Sequence, residues 1–423
     1  MSERHLRVLA VASHAVQYSA PLFRLMAQDP RLDFHVAYCS LRGAESSHDP
    51  DFNRDVKWDI PLLDGYAWAH VPNRGSHRAS FFGLYNPGLW RFIRHGRFDA
   101  VLCYASYTRS SFWIAYFASK SSGTAFLFGT DAVSLEARDR HKWKQSTKRF
   151  FWPSLFQLAD NVIVPSTSTL RLIRSLGISP ERITLTPYTV DNDWWIARSA
   201  GIDRQALRDS LGIPAGSFAV LFCAKLQTWK RPFDLLRAVA ACGRNDLFVL
   251  IAGDGPLRQS LERESASLSL TSRVKFFGFV NQQALPQLYR AADLMVLPSE
   301  YEPFGVVVNE AILCGCPVIA SDKVGAAHDL IQPAIPEFIF PAGDIQALSA
   351  ALLRVLDNPG LLCSARTSLF QLVQAWSPAR NVSATVQAVE SAISYASGKA
   401  IRSPAAPVAA ASTPARPHNE AVE

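Results

Sequence analysis

The chain has 423 residues, enough for two domains of ordinary size, and its 48% hydrophobic and 19% charged residues are those of a globular protein, not a disordered or fibrous one. No stretch approaches the ~18 apolar residues needed to span a bilayer, and Arg7-Val-Leu-Ala-Val-Ala-Ser-His14 is too short and too soon interrupted for a signal peptide, so a cytoplasmic protein is expected. Of the total charge of +7, residues 1–197 hold +6 (23 Lys/Arg against 17 Asp/Glu). Nothing in that excess resembles a nucleic-acid module, and no nucleic-acid partner is expected.

In chain order, short apolar runs at 8–12, 34–38, 101–104, 125–128, 162–164 and 183–187 alternate with helical patterns. A second series at 219–223, 247–252, 274–277, 294–297 and 318–320 repeats the alternation. Strands alternating with helices predict parallel, doubly wound sheets, here two Rossmann-like α/β domains facing a cleft. The segment from Arg138 through Lys144 to Pro153 interleaves basic and aromatic residues. It reads either as a surface for anionic headgroups or as a solvated helix whose Phe150, Phe151 and Trp152 are core. Seven cysteines lie mostly in predicted elements, and Cys314-Gly-Cys316 lacks the two-residue spacer of common zinc or redox pairs. Buried free thiols in a reducing compartment are expected, with no metal site and no cofactor.

Most of the functional information sits in Pro298-Ser-Glu-Tyr-Glu302-Pro303-Phe304-Gly305-Val306 and the residues that follow, through Glu310 to Cys314-Gly315-Cys316-Pro317. Pro303 holds Glu302 out of helical dihedrals, and Gly305 lets the backbone approach a bound group. A helix is predicted from near Val306, its unpaired N–H groups facing a phosphate. Glu310, one turn along, can accept two hydroxyl hydrogen bonds from a ribose or hexose. Gly315 and Pro317 end the helix.

These residues resemble the donor motif of the retaining GT-B glycosyltransferases of family 4, the group 1 type. Lys225-Leu-Gln-Thr-Trp-Lys230-Arg231-Pro232, Gly253-Asp254-Gly255-Pro256 and Val274-Lys-Phe-Phe-Gly278-Phe279-Val280 follow that family's order, and the match covers about residues 215–375. The resemblance implies that Glu302 contacts donor-sugar hydroxyls, that Glu310 holds the ribose, and that backbone N–H groups from Phe304 through Gly305 to Val306 bind the diphosphate. Lys225 and Lys230 would reach the phosphates and stabilise the leaving group, the Gly255 turn would border the donor, and the base would meet Phe279. Lys225 stands where relatives commonly have Arg, keeping the charge but losing the bidentate fork. Arg231 reads as a third contact or as solvated. Such enzymes take a nucleotide-sugar as co-substrate, need no metal, and transfer with retention.

The acceptor half is less regular. Ser13-His14-Ala-Val-Gln17-Tyr18 replaces the paired glycines of many members, and a similar Val-Gln-Tyr run is familiar from bacterial surface-polysaccharide glycosyltransferases. His14, Gln17 and Tyr18 are therefore the candidate acceptor residues, with a packed histidine the alternative for His14. The strand at 125–128 leads to Asp131 where many relatives place a functional His. Asp131 reads either as a catalytic-site contact at a strand C-terminal end or as a helix N-cap. The expected organisation is an acceptor-binding domain at 1–197, a sugar-nucleotide domain at 198–376, a helix at 377–397 crossing back onto the first domain, and a disordered tail at 398–423. The expected acceptor is a glycan or a lipid-linked glycan of a bacterial surface polysaccharide, with peripheral contact to an anionic membrane. A soluble small-molecule acceptor, and a non-catalytic GT-B scaffold, are the alternatives.

Overall fold

The computed structural model describes residues 5–49, 54–136 and 142–398. Its strands are β1 (Leu6–Ala12), β2 (Leu32–Tyr38), β3 (Ser47–Asp49), β4 (Arg54–Val56), β5 (Ala67–His70), β6 (Ala100–Cys103), β7 (Ala125–Gly129), β8 (Asn161–Val164) and β9 (Ile183–Leu185). They continue with β10 (Phe218–Cys223), β11 (Leu247–Ala252), β12 (Val274–Gly278), β13 (Leu294–Leu297), β14 (Val318–Ser321) and β15 (Ile339–Phe340). Seven of them form one sheet in the order β5-β2-β1-β6-β7-β8-β9, and six form another in the order β12-β11-β10-β13-β14-β15. Every pairing in both is parallel.

Burial explains the alternating pattern. Val8, Ala10 and Val36 point to one side of the first sheet, where the helices Ser19–Gln28 and Pro378–Ala396 close over them. Leu9, Val11, Val101 and Phe128 point to the other, under the helices Gly88–Gly96, Ser110–Ser121 and Lys142–Gln157. With both faces covered, a strand gains from being apolar throughout, which is why these runs are nearly continuous. The weaker strands escaped the sequence reading for the same reason. Edge strand β5 (Ala-Trp-Ala-His) is largely exposed, β15 has two residues, and the β3–β4 hairpin is a short antiparallel pair.

The helix Pro378–Ala396 starts from Ser377, whose side chain accepts from the Arg380 N–H, and buries Val382, Val386, Val389 and Ala392 against the first sheet. The junction it bridges is aromatic. Tyr18 meets Tyr188 edge-on at 5.6 Å, Tyr188 meets Phe304 at 5.4 Å, and Phe304 stacks on Trp376 at 6.4 Å. Trp376 Nε1 donates to the Tyr188 carbonyl at 2.8 Å. Polar contacts join the domains elsewhere: Asp329 accepts from the Thr167 N–H at 3.1 Å, and Asn281 Nδ2 donates to the Lys57 carbonyl at 2.8 Å.

Two expectations change here. Of the aromatic trio, Trp152 is core at 3% exposure, whereas Phe150 and Phe151 are exposed, because a helix turns successive residues to different sides. The cysteines are all free and five are buried, but Cys242 is half-buried and Cys363 exposed. Arg138, Arg140 and the tail at 399–423 lie outside the described residues.

Candidate active site

The second sheet reverses its strand order between β10 and β13, and open parallel sheets bind ligands at such a point, beyond the strand C-termini. A cavity of about 320 Å³ lies there. Lys225 and Lys230 reach it from the loop after β10, Gly253 from the end of β11, Phe279 from the end of β12, and Glu302 from the loop after β13. Gln17 and Trp58 of the first domain close it from across the cleft.

The β13 loop takes the form its residues dictate. Glu302 is extended, forming a bridge with Val324, and its carbonyl accepts from the Gly325 N–H at 3.0 Å. Gly305 has φ +93, and a Cβ there would stand 3.0 Å from Glu302 Cγ, so a side chain would collide with the carboxylate arm it helps to place. The helix runs Val307–Leu313, one residue later than expected, and carries Glu310 into the interior at 2% exposure. Glu310 Oε2 accepts from the buried Tyr289 hydroxyl at 2.9 Å. Burial pushes its carboxyl up to about 7, against the pull of hydrogen bonds from Tyr289 and Gln282. At the opposite side Lys230 Nζ is ion-paired with Glu302 Oε2, with side chains only 16% and 13% exposed. A shielded pair of this kind is costly to break unless another charge replaces one partner.

The structure therefore brings Lys225, Lys230, Phe279, Glu302, Gly305, Val306, Glu310 and Gln17 to one cavity. Gly255 does not line it. It sits at φ +147 where a Cβ would be 2.8 Å from the Leu226 carbonyl oxygen, so its role is close packing of two loops, and Gly253 is the glycine at the cavity. The Phe304 side chain is 2% exposed within the aromatic junction, so the expected contact of Phe304 is one for its backbone N–H alone, and Gly305, Val306 and Val307 line the cavity. Tyr18 lines an adjoining cavity of about 100 Å³ that shares Gln17, Gln282 and Glu310 with the first. Burial, and then the Asp131 charge, push the Tyr18 hydroxyl up to about 12, and Asp131 itself lines neither cavity. His14 is exposed, pairs with Ser13 Oγ at 3.0 Å and is also outside both. Arg231 lines neither cavity and is not merely solvated: it holds Asp234 at 2.6 Å and Glu300 at 3.0 Å.

Sequence reasoning missed Trp58, Gln282 and Tyr289. Trp58 stands 6.1 Å from the Phe279 ring, and its neighbour Asp59 takes the Gln283 N–H at 3.3 Å. Only the folded relation of the two domains reveals these contacts. Tyr289 lies on the predicted helix before β13, where its burial makes it look like core; its hydroxyl is the signal, since a buried phenol needs a polar partner.

The comparisons with known proteins agree with this geometry. Residues 203–368 match the model of the glycosyl transferases group 1, and residues 23–194 that of glycosyltransferase family 4. The 2-deoxystreptamine glucosyltransferase of Streptomyces kanamyceticus is 31% identical over 192 residues, 44% of this chain and 49% of that protein. The chain thus spans about half the length of the curated relatives it matches. HepE of Anabaena, solved in complex with UDP and glucose, superposes with a TM-score of 0.71 over 92% of this chain and 100% of that one, at 20% identity. The lipopolysaccharide outer core galactosyltransferase WaaB gives 0.64 over 91% and 99%, at 18% identity. With one matched model on each sheet domain, the chain belongs to the group 1, family 4 glycosyltransferases of GT-B fold.

Proposed function

We propose that the protein moves a sugar from a nucleotide-sugar donor to a hydroxyl of a glycan or lipid-linked acceptor, in building a bacterial surface polysaccharide. The observation that carries this reading is Glu310, a buried carboxyl held by Tyr289 at the floor of a cavity whose other wall bears Lys225 and Lys230. A carboxylate there asks for hydroxyl donors and the lysines ask for anions, which together describe a ribose joined to a diphosphate. Trp58 and Phe279 offer aromatic surface for the base. Glu302, released from Lys230, orients the sugar.

In the reaction the bond from the anomeric carbon to the diphosphate breaks, a bond to the acceptor oxygen forms, and the acceptor hydroxyl's proton passes to the departing diphosphate. Lys225 and Lys230 stabilise the charge that grows on the departing diphosphate, in place of a cation, so the transfer is read as metal-independent. Asp131 and Tyr18 stand on the acceptor side. Retention follows the family resemblance of the Glu302 to Glu310 motif, and the cytoplasm is the expected compartment. HepE was solved with UDP and glucose, so a UDP-sugar is the first donor to try. The experiment is transfer from UDP-glucose to glycan and lipid-linked acceptors in EDTA, with the anomeric coupling of the product read by NMR. An axial product linkage from the α-linked donor supports retention, and inversion or strict metal dependence contradicts the reading. The relative acting on 2-deoxystreptamine favours a second reading, a soluble small-molecule acceptor; turnover confined to such acceptors would select it.

A further inference from the structure

Among the described residues, twelve large apolar side chains are exposed, and eight of them fall on one layer of the first domain. Phe82 is 63% exposed, Phe117 55%, Trp143 64% and Phe150 83%. The layer consists of the helices Gly88–Gly96, Ser110–Ser121 and Lys142–Gln157 with the loop that precedes the first of them. Leu89, Phe112, Trp152 and Phe156 form its inner side, packed on the sheet, so the exposed aromatics are additional to a core already filled. Tyr107 ties two of the helices together, its carbonyl taking the Trp113 Nε1–H at 2.9 Å and its ring lying 6.1 Å from Phe151.

The charge of the same layer is one-sided. Residues 71–130 and 142–157 contain eleven Lys/Arg and a single acidic residue, Asp99, a sequence charge of +10 against −3 for the rest of the chain, and of these cations Lys120 is held by Asp160 at 2.6 Å. Asp99 accepts from the Arg7 N–H at 2.9 Å just before β6, at the N-terminal end of the strand. Arg91, Arg94 and Arg149 are exposed. A protein partner covering this surface would need acidic groups interleaved with apolar pockets, whereas a bilayer supplies a continuous negative plane over an apolar interior. Exposed aromatic rings with basic residues between them match that profile in both depth and charge.

We propose that this layer docks on an anionic lipid bilayer, its aromatic side chains entering the interface and its arginines and lysines meeting the headgroups. The loop after β5 leaves the C-terminal end of its strand, the end from which Gln17 after β1 also reaches the cleft, so docking sets the cleft mouth beside the membrane surface. The proposal stands on surface composition alone and does not depend on which sugar is transferred.

The test is co-sedimentation of the full chain with phosphatidylcholine vesicles, with and without phosphatidylglycerol. Binding is expected only with phosphatidylglycerol, weakening as salt is raised. The charge variant Arg91→Glu/Arg94→Glu and the apolar variant Phe82→Ser/Phe150→Ser should each lower the affinity roughly tenfold or more, with far-UV circular dichroism and the melting transition unchanged. Equal binding to both vesicle types, wild-type binding by either variant, or a wild-type chain that stays in the supernatant would each overturn it.

Discussion

At the scale of single residues, the account rests on Glu310. Its carboxyl titrates near 7 in the folded chain against 4.5 when unperturbed, because burial disfavours the charged form more than Tyr289 and Gln282 favour it. The folded state therefore holds this proton more tightly than the unfolded one. Its contribution to stability is fully present below about pH 4.5 and is lost as the pH rises to about 7, a change of roughly 3 kcal/mol at most. Urea titrations between pH 4.5 and 8 should show that fall in the ligand-free wild type and a flatter profile in Glu310→Gln; identical profiles would contradict the assignment. A ribose donating to the carboxylate favours the ionised form, so donor binding at pH 6 should release protons, measurable by calorimetry in buffers of different ionisation enthalpy. Trp58 makes a second prediction at this scale. Loss of base–aromatic stacking in Trp58→Ala should weaken nucleotide binding by about 1–3 kcal/mol, measured by titration at a temperature where circular dichroism shows the variant folded.

At the scale of elements, the loop from β13 into Val307–Leu313 concentrates the constraints. Gly305→Ala would impose a positive φ on an L-residue and press its Cβ against Glu302, and should cost roughly 1–2 kcal/mol in stability. Activity should fall further than stability does, since the carboxylate moves with the loop; a variant with wild-type turnover would argue against that placement. This loop was legible in the sequence because proline and glycine act on the backbone locally and spell out extended, turn and helix in order. The two lysines after β10 were legible for the same reason. Gly255 packs two loops beside the cavity and the Phe304 side chain turns into the junction, because motif position says which loop a residue belongs to but not which side of it faces the cavity. Trp58 could not be found, since its partner Phe279 is distant in sequence and joins it only when the domains meet. Buried strands announced themselves by continuous apolar runs, and exposed β5 did not.

At the scale of the whole molecule, two Rossmann-like sheets are held across a junction by the aromatic chain from Tyr18 to Trp376, and the returning helix Pro378–Ala396 spans it. Trp376→Ala would empty a buried ring site and orphan the Tyr188 carbonyl, and should destabilise the protein by about 3–5 kcal/mol. Because both domains contribute walls to the donor cavity, nucleotide affinity should fall with it, seen as a lower urea midpoint together with a higher Kd. The central claim is that this shared cavity holds a nucleotide-sugar through Glu310. It is tested most directly by a thermal-shift screen of the purified chain against UDP-, GDP-, ADP-, CMP- and dTDP-sugars, with Glu310→Ala beside it, since a ligand that binds the folded state raises its apparent stability. The account predicts a higher melting temperature with one nucleotide class and none of that rise in the variant; a folded wild type that responds to no donor, or a variant that responds equally, would contradict it.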